Sequence, residues 1–379
     1  MKRRYALFVS IMLAFMLAFA SCIPTMTPPP TINSKPLPGA PSRNALADIE
    51  ATLEQIYDMA NPSVVNIGVV IGSNSTSPEE ALGSGFVWDK AGHIVTNNHV
   101  IADADTITIT FHDGTVVPGK LVGADPDSDL AVVKVDMPAD HLQPLSMGDS
   151  TRLRVGQVVI AIGNPFGLQG TMTVGFISAL GRLVPTDNNV LGATYNIPDI
   201  IQTDASLNPG NSGGVLLDDT GKVIGITQSM TSTSGSSAGV GFAIPSAIVQ
   251  QVVPALIRTG HYDHPYLGIG VVSMTPSLAT AMNLSANQRG TIVGSITKGG
   301  PADKAGLKAS QTRVTINGQT VLVGGDVIIA YNDQVVKSSD DLITFLGRSG
   351  TIGQTVTLTV LRDGKQVKVP VTIGARPVS

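Results

Sequence analysis

One cysteine, Cys22, is the entire thiol content of this 379-residue chain, so no intrachain disulfide can staple its fold. Charge is also sparse: Asp, Glu, Lys and Arg make up 14% of residues, and the net charge is −4. No basic cluster occurs beyond the N-terminus, which argues against nucleic acid as the main partner. The chain has no Gly-x4-Gly-Lys-Ser/Thr run, which argues against nucleotide-driven work. His, Cys and Glu do not cluster at metal-ligand spacing, so neither metal nor cofactor is expected. Trp and Tyr are few, whereas Gly (41) and Pro (24) are plentiful. With many Val, Ile and Thr between them, this composition predicts short strands joined by turns. The length leaves room for two or three domains, each with its own core.

Residues 1–22 read as a targeting segment and stand outside the fold. "MKRR" gives a positive start, and "YALFVSIMLAFMLAFA" is an apolar stretch of 16 residues. "FASC" ends the segment at Cys22 and resembles the lipobox of bacterial lipoproteins, with Phe19 where that motif prefers Leu. The competing reading is an uncleaved anchor helix over Tyr5 to Ile23. Either way, the rest of the chain is expected to be exported and membrane-tethered in the cell envelope, on the extracytoplasmic side. Residues 23–44, rich in Pro, Thr and Ser, cannot build a core and predict an extended tether. A short helix is expected next, with Leu46, Ile49, Leu53 and Ile56 on one face, stopping near Asn61-Pro62.

From "SVVNIGVVI" onward, short β-type runs recur about every ten residues, as in a sandwich or barrel. Within this region "NPGNSGGVLL" (208–217) places Ser212 among glycines. "GNSGG" fits the nucleophile elbow of α/β-hydrolases, but an elbow leads into a helix. "VLLDDTGKVIGI" instead reads strand, turn, strand, so the elbow is rejected. A nucleophilic serine needs a base, usually His, and the His needs an acid. His93, His112 and His141 lie beside turn residues and read as surface positions, and His261 and His264 fall in a polar junction. His99 stands at a strand end in "IVTNNHVI".

"GSGFVWDKAGHIVTNNHVI", "DPDSDLAVVKV" and "QTDASLNPGNSGGVLLDDTGKVIGI" together resemble the HtrA/Deg family of serine proteases. The resemblance runs from about residue 60 to the C-terminus and implies a mainly β fold. That fold is a chymotrypsin-like double β-barrel protease domain (45–260) followed by a small α+β PDZ domain (261–379). It assigns the general base to His99, the acid to Asp129 and the nucleophile to Ser212, with Asp125 and Asp127 left as turn formers. It places the oxyanion hole on the backbone N–H groups of Gly210, Asn211 and Ser212, in a loop able to switch between competent and collapsed forms.

By the same resemblance, Ile226, Thr227, Gln228 and Ser229 in "ITQSM" pair with substrate as an added strand, and Ser206 sits near the pocket floor. With no acidic residue there, small or medium aliphatic side chains are favoured. "TSTSGSSAG" (231–239) reads either as a mobile loop or as a plain hairpin loop. "YLGIGV" resembles a PDZ carboxylate loop, with Tyr266, Leu267, Gly268 and Ile269 cradling a peptide C-terminus. Residues 309–323 exceed what a minimal PDZ domain needs.

The expected function is an ATP-independent endopeptidase acting on unfolded or damaged proteins, and the resemblance implies a homotrimer. The alternative is a catalytically silent scaffold or holdase binding exposed termini.

Overall fold

The structure is a computed structural model that describes residues 43–73, 79–165, 170–190, 193–228, 239–316 and 318–377. The leader with Cys22, the tether up to residue 42, Ser229 and residues 231–238 lie outside the described residues. Of the unit Met1–Glu50 the described part is helical; Ala51–Ser379 form a second, compact unit. Helix α1 (Arg43–Ala60) ends in a 3-10 turn over Asn61–Ser63, where proline removes the next N–H donor. Only the C-terminal part of its expected apolar face is covered. Ile56 and Ala60 are buried and Leu53 packs beside them, while Leu46 and Ile49 are exposed.

Six strands then close into a barrel: β1 (Val64–Ile71), β2 (Glu79–Val87), β3 (His93–Thr96), β4 (Thr106–Thr110), β5 (Val116–Asp125) and β6 (Leu130–Lys134). Their order around the barrel is β1-β2-β3-β6-β5-β4, with β4 returning to β1 so that no edge stays open. A short helix, α2 (Asn98–Ile101), leaves the end of β3. A second barrel of order β10-β11-β12-β9-β8-β7 follows. It comprises β7 (Val158–Gly163), β8 (Thr171–Val190), β9 (Ala193–Thr203), β10 (Val215–Leu217), β11 (Val223–Gln228) and β12 (Gly241–Pro245). Tight turns set the registers. Asp218 N–H donates to Lys222 O at 3.0 Å, with Gly221 at φ 75°, to close the β10–β11 hairpin.

Each barrel has its own apolar filling, and a third cluster lies where they meet. Phe86, Leu130, Ile160, Val215, Ile226 and Leu256 are fully buried there. Each such side chain stabilises the junction by roughly 1.5–3 kcal/mol. Helix α3 (Ser246–Thr259) packs on the junction and stops at Gly260 (φ 79°), whose N–H bonds to Leu256 O. Gly123 allows the approach, because a Cβ there would lie 2.6 Å from Gly260 O.

The C-terminal domain is built on a sheet of order β14-β15-β18-β20-β21, with a small strand β19 beside β18. After β13 (Pro265–Tyr266), the chain forms β14 (Ile269–Ser273), α4 (Pro276–Ala281), β15 (Thr291–Ile296) and α5 (Pro301–Lys304). Residues 309–323 supply a separate hairpin, β16 (Thr312–Ile316) with β17 (Gln319–Val323). The remaining elements are β18 (Val327–Tyr331), β19 (Gln334–Val335), α6 (Ser339–Ser349), β20 (Thr355–Arg362), β21 (Lys365–Thr372) and β22 (Gly374–Ala375). The β20–β21 hairpin turns at Asp363-Gly364 with both φ positive (53° and 76°), the signature of a type I′ turn.

Among the described residues, side-chain links hold this domain against the barrels. Arg348 of α6 grips Asp199 of β9 through both carboxylate oxygens, with Nε–Oδ2 at 2.7 Å. Burial lifts the Asp199 carboxyl above the usual carboxylate range, against the opposing pull of Arg348. His264 places Nε2 2.9 Å from both oxygens of Asp125, which also accepts from the Ser128 hydroxyl. Arg376 donates to Asp127 at 2.7 Å, and its backbone N–H bonds to His264 O.

Asp125 and Asp127 are therefore more than turn formers, and His264 is more than a polar junction residue. His93, expected at the surface, is instead half-buried against Asp89. Removing the imidazole with His264→Ala is expected to lower stability by about 1.5–3 kcal/mol, the worth of hydrogen bonds to a charged group. Thermolysin should then cut a Ser212→Ala background faster within residues 260–265. Unchanged melting and digestion would show that the link contributes nothing.

Candidate active site

The expected acid and base, Asp129 and His99, lie on the first barrel. Asp129 heads β6 at φ 53°, a left-handed conformation that Asp tolerates better than most residues, and it is buried. One oxygen of its carboxylate accepts the His99 backbone N–H at 2.9 Å. The other lies 2.7 Å from His99 Nδ1 and 3.0 Å from Gln228 Nε2. Its own carbonyl accepts from Asn97 Nδ2 and from the Asn98 N–H. The α2 turn is thus fastened to the start of β6 at both backbone and side chain. The resulting pair holds Nδ1 as the protonated nitrogen and leaves Nε2 as the basic one. The His99 side chain is 42% exposed.

Ser212 belongs to the second barrel, in the turn before β10. Pro209 and Gly210 (φ 91°) occupy the centre of a turn closed by Asn211 N–H to Asn208 O at 3.0 Å. These are the φ signs of a type II turn, for which Pro then Gly is the favoured pair. Asn211 thus already uses its N–H inside the turn, so Gly210 and Ser212 remain as the candidate donors of the expected three. Gly213 (φ 86°) accepts no side chain, since a Cβ would collide with Ser84 O and Thr96 Oγ1. Across the barrel junction, Ser84 N–H donates to Ser212 O at 2.8 Å. Behind the turn, Thr227 Oγ1 donates to Asn211 O at 2.6 Å, and Thr227 exchanges backbone bonds with Gly213 and Gly214. The next residue, Gln228, reaches Asp129, so one strand of the second barrel touches both the serine turn and the acid.

The expected substrate-binding residues are less uniform. Ile226 is fully buried in the junction core, and its ladder positions are filled by Val215 and Ile244. Thr227 is occupied by the serine turn. Of the described members of "ITQSM", Gln228 is the one next to an unfilled ladder position on the β10 side. Ser206 is exposed, with its carbonyl accepting from Thr173 Oγ1.

Several groups escaped sequence reasoning. Ser84, Thr96, Asn66 and Asn164 tie the two barrels together behind the serine turn. The signal was present in "GSGF", a serine between two glycines inside an apolar strand. A Cβ at Gly85 would crowd Ile67 and Ile94, and one at Gly83 would collide with Val100.

In the C-terminal domain, the Leu267 and Gly268 carbonyls accept from Ala302 and Thr297 N–H, both at 2.9 Å. Because a trans peptide points N–H opposite its carbonyl, the Gly268 and Ile269 N–H groups face away from those partners. Among the described residues β14 has a sheet neighbour on one side only, β15. A cavity of about 610 Å³ runs beside it, lined by Gly268, Ile269, Leu342 and Leu346, and on the barrel side by Pro198 and Ile248.

A two-barrel trypsin-like peptidase domain followed by a PDZ domain is the class that this fold and site define. Residues 83–226 match the trypsin-like peptidase domain, and residues 265–373 match the PDZ domain. A probable periplasmic serine endoprotease DegP-like of Brucella suis biovar 1 (strain 1330) is 41% identical over 297 residues, covering 78% of this chain and 53% of the relative. Protease Do-like 1, chloroplastic, of Arabidopsis thaliana is 43% identical over 296 residues, covering 78% and 64%. The chain spans about half the length of the first of these relatives. Among solved structures, the HtrA-type protease AlgW with decapeptide has TM-score 0.66 and 34% identity, covering 86% of this chain and 99% of that one. The same protease with tripeptide has TM-score 0.68 and 36% identity, covering 86% and 98%. The chain belongs to the HtrA family of proteases.

Proposed function

We propose that this chain is an ATP-independent serine endopeptidase of the cell envelope that hydrolyses unfolded or damaged proteins. The observation that carries the reading is the Asp129–His99 hydrogen bond at the barrel junction, fastened through Gln228 and Thr227 to the turn bearing Ser212. In this reading Ser212 Oγ attacks the scissile carbonyl while His99 Nε2 takes its proton, and Asp129 stabilises the imidazolium. The oxyanion meets the N–H groups of Gly210 and Ser212. His99 then gives the proton to the leaving amine, and water repeats the sequence to release the acyl group. Substrate adds as a strand alongside Gln228, with Ser206 beside the primary pocket. The test is cleavage of a permanently unfolded protein by the parent and not by Ser212→Ala.

The PDZ domain is proposed to bind peptide C-termini. The exposed edge of β14 supplies the pairing strand, and the N–H groups beside Gly268 supply donors for a carboxylate. A peptide with a free, apolar C-terminal residue is therefore expected to bind at least about tenfold tighter than its C-terminal amide, since a charge-assisted hydrogen bond contributes roughly 1.5–3 kcal/mol. Fluorescence anisotropy with the Ser212→Ala protein reads this directly, and equal affinities would remove the carboxylate role.

Export to the periplasm and tethering through residues 1–22, by Cys22 or by an anchor helix, complete the proposal. The periplasmic naming of relatives supports the first part. Among the described residues no helix is long and apolar enough to cross a membrane. A homotrimer built through the barrels is proposed on the exposed side chains Val158, Val174 and Phe176, with Val158 opposite Phe176 on adjacent strands. In this reading another copy of the chain covers these side chains.

A further inference from the structure

We propose that Ser84, which no step of the acyl-transfer mechanism uses, is the positioning residue that holds the oxyanion turn in shape. The inference rests on the proposed assignment of Gly210 and Ser212 as oxyanion donors.

Ser84 lies on β2 and is fully buried. At this point β2 has parted from β3, which it pairs only at Phe86 and Val87. Its backbone groups turn to other partners. The N–H donates to Ser212 O at 2.8 Å, and the carbonyl accepts from Thr96 Oγ1 at 2.7 Å. The hydroxyl is engaged on both sides. It accepts the Asn164 N–H at 2.8 Å and lies 2.6 Å from Gly210 O. Because the Asn164 amide can only donate, the Ser84 hydroxyl hydrogen has one place left to go, the Gly210 carbonyl.

That carbonyl belongs to the peptide joining Gly210 to Asn211, whose N–H end is held by Asn208 O at 3.0 Å. Both polar atoms of one peptide plane are therefore fixed, one by Ser84 and one by the turn. Gly210 has no side chain and sits at φ 91°, so nothing intrinsic holds it in that conformation. The two flanking planes carry the Gly210 and Ser212 N–H groups, so a middle plane free to rotate would let the turn open and move both donors away from the position where negative charge develops. Oxyanion donors act by being fixed beforehand, so a loose donor loses much of its worth. The surroundings restrict Ser84 in turn. Asn66 Nδ2 bonds to Asn164 O at 2.8 Å, and a Cβ on Gly163 would lie 3.1 Å from Ser84 Oγ.

The experiment compares the full chain with Ser84→Ala and Ser84→Cys. Each is scored for kcat and KM per folded molecule on a fluorogenic peptide, and for inhibition by a peptidyl aldehyde, whose adduct places an oxygen in the oxyanion site. Ser84→Ala is expected to lower kcat roughly 10- to 100-fold and aldehyde affinity by a similar factor. KM should move less than about threefold, because ground-state contacts are untouched. Ser84→Cys, with the same shape and a weaker donor, should fall between parent and Ser84→Ala, and it decides the matter if the alanine variant fails to fold. Wild-type kcat and aldehyde affinity per folded molecule in the variants would overturn the role of Ser84 while leaving the protease reading intact. A parent that cleaves nothing would overturn both.

Discussion

Ser212→Ala is expected to leave a folded protein that cleaves no peptide bond at a measurable rate. The parent should digest a permanently unfolded, fluorophore-labelled protein under the same conditions. Ser212 is buried in the turn before β10, and the substitution removes one oxygen while keeping the Cβ and the backbone bond from Ser84. Loss of the nucleophile in a comparable triad costs about six orders of magnitude in kcat, so activity should fall below detection. Melting should change by less than about 1 kcal/mol equivalent, the range of a conservative change that leaves no cavity. Binding of a C-terminal peptide to the PDZ domain should be unchanged, since no residue of the serine turn lines that groove. Equal cleavage by both proteins would place the chemistry elsewhere. Cleavage by neither, with peptide binding intact, would favour the scaffold reading.

Asp129→Asn is expected to be the second most damaging change, with kcat falling about 10⁴-fold while the fold persists. Asparagine accepts the left-handed φ of 53° as well as aspartate does, so the backbone is not strained. The loss is one of acceptors. The carboxylate takes three donors: the His99 N–H on one oxygen, and His99 Nδ1 and Gln228 Nε2 on the other. An asparagine offers one oxygen and presents an N–H₂ group in place of the second. If that group faces His99, Nδ1 must become the acceptor, and the proton moves to Nε2, where the base should be. The pH profile of kcat separates this from simple unfolding: a wrong tautomer leaves a small residual rate that recovers at high pH. Activity within tenfold of the parent would remove Asp129 from the orienting role.

Much of the site was legible because local sequence shows its chemistry. His99 closely follows a strand that ends at Thr96, Asp129 opens an apolar strand, and Ser212 sits among glycines before a strand-turn-strand. The rejection of the elbow followed from Asp218 to Gly221, which close a hairpin as their composition demands. The roles of Ser84, Thr227 and Gln228 were not legible, because each acts on a residue far along the chain. The same holds for His264 and Asp125, which lie 139 positions apart and meet at 2.9 Å. Ile226 shows the opposite error: it sits in a segment expected to receive substrate, yet it faces the barrel junction and is buried.

Strands, turns and the residue types able to perform acyl transfer were written locally along the chain. Alternation, Gly and Pro act over a few residues, and the motif blocks keep that information in order. Packing at long range added the rest: two closed barrels bring Ser212 to the same junction as the Asp129–His99 pair, and particular buried hydroxyl and amide groups hold that junction. The physical reason is that a polar group removed from water must find a partner wherever the fold places one. Such partners are set by contact between strands remote in sequence, for which no local pattern exists.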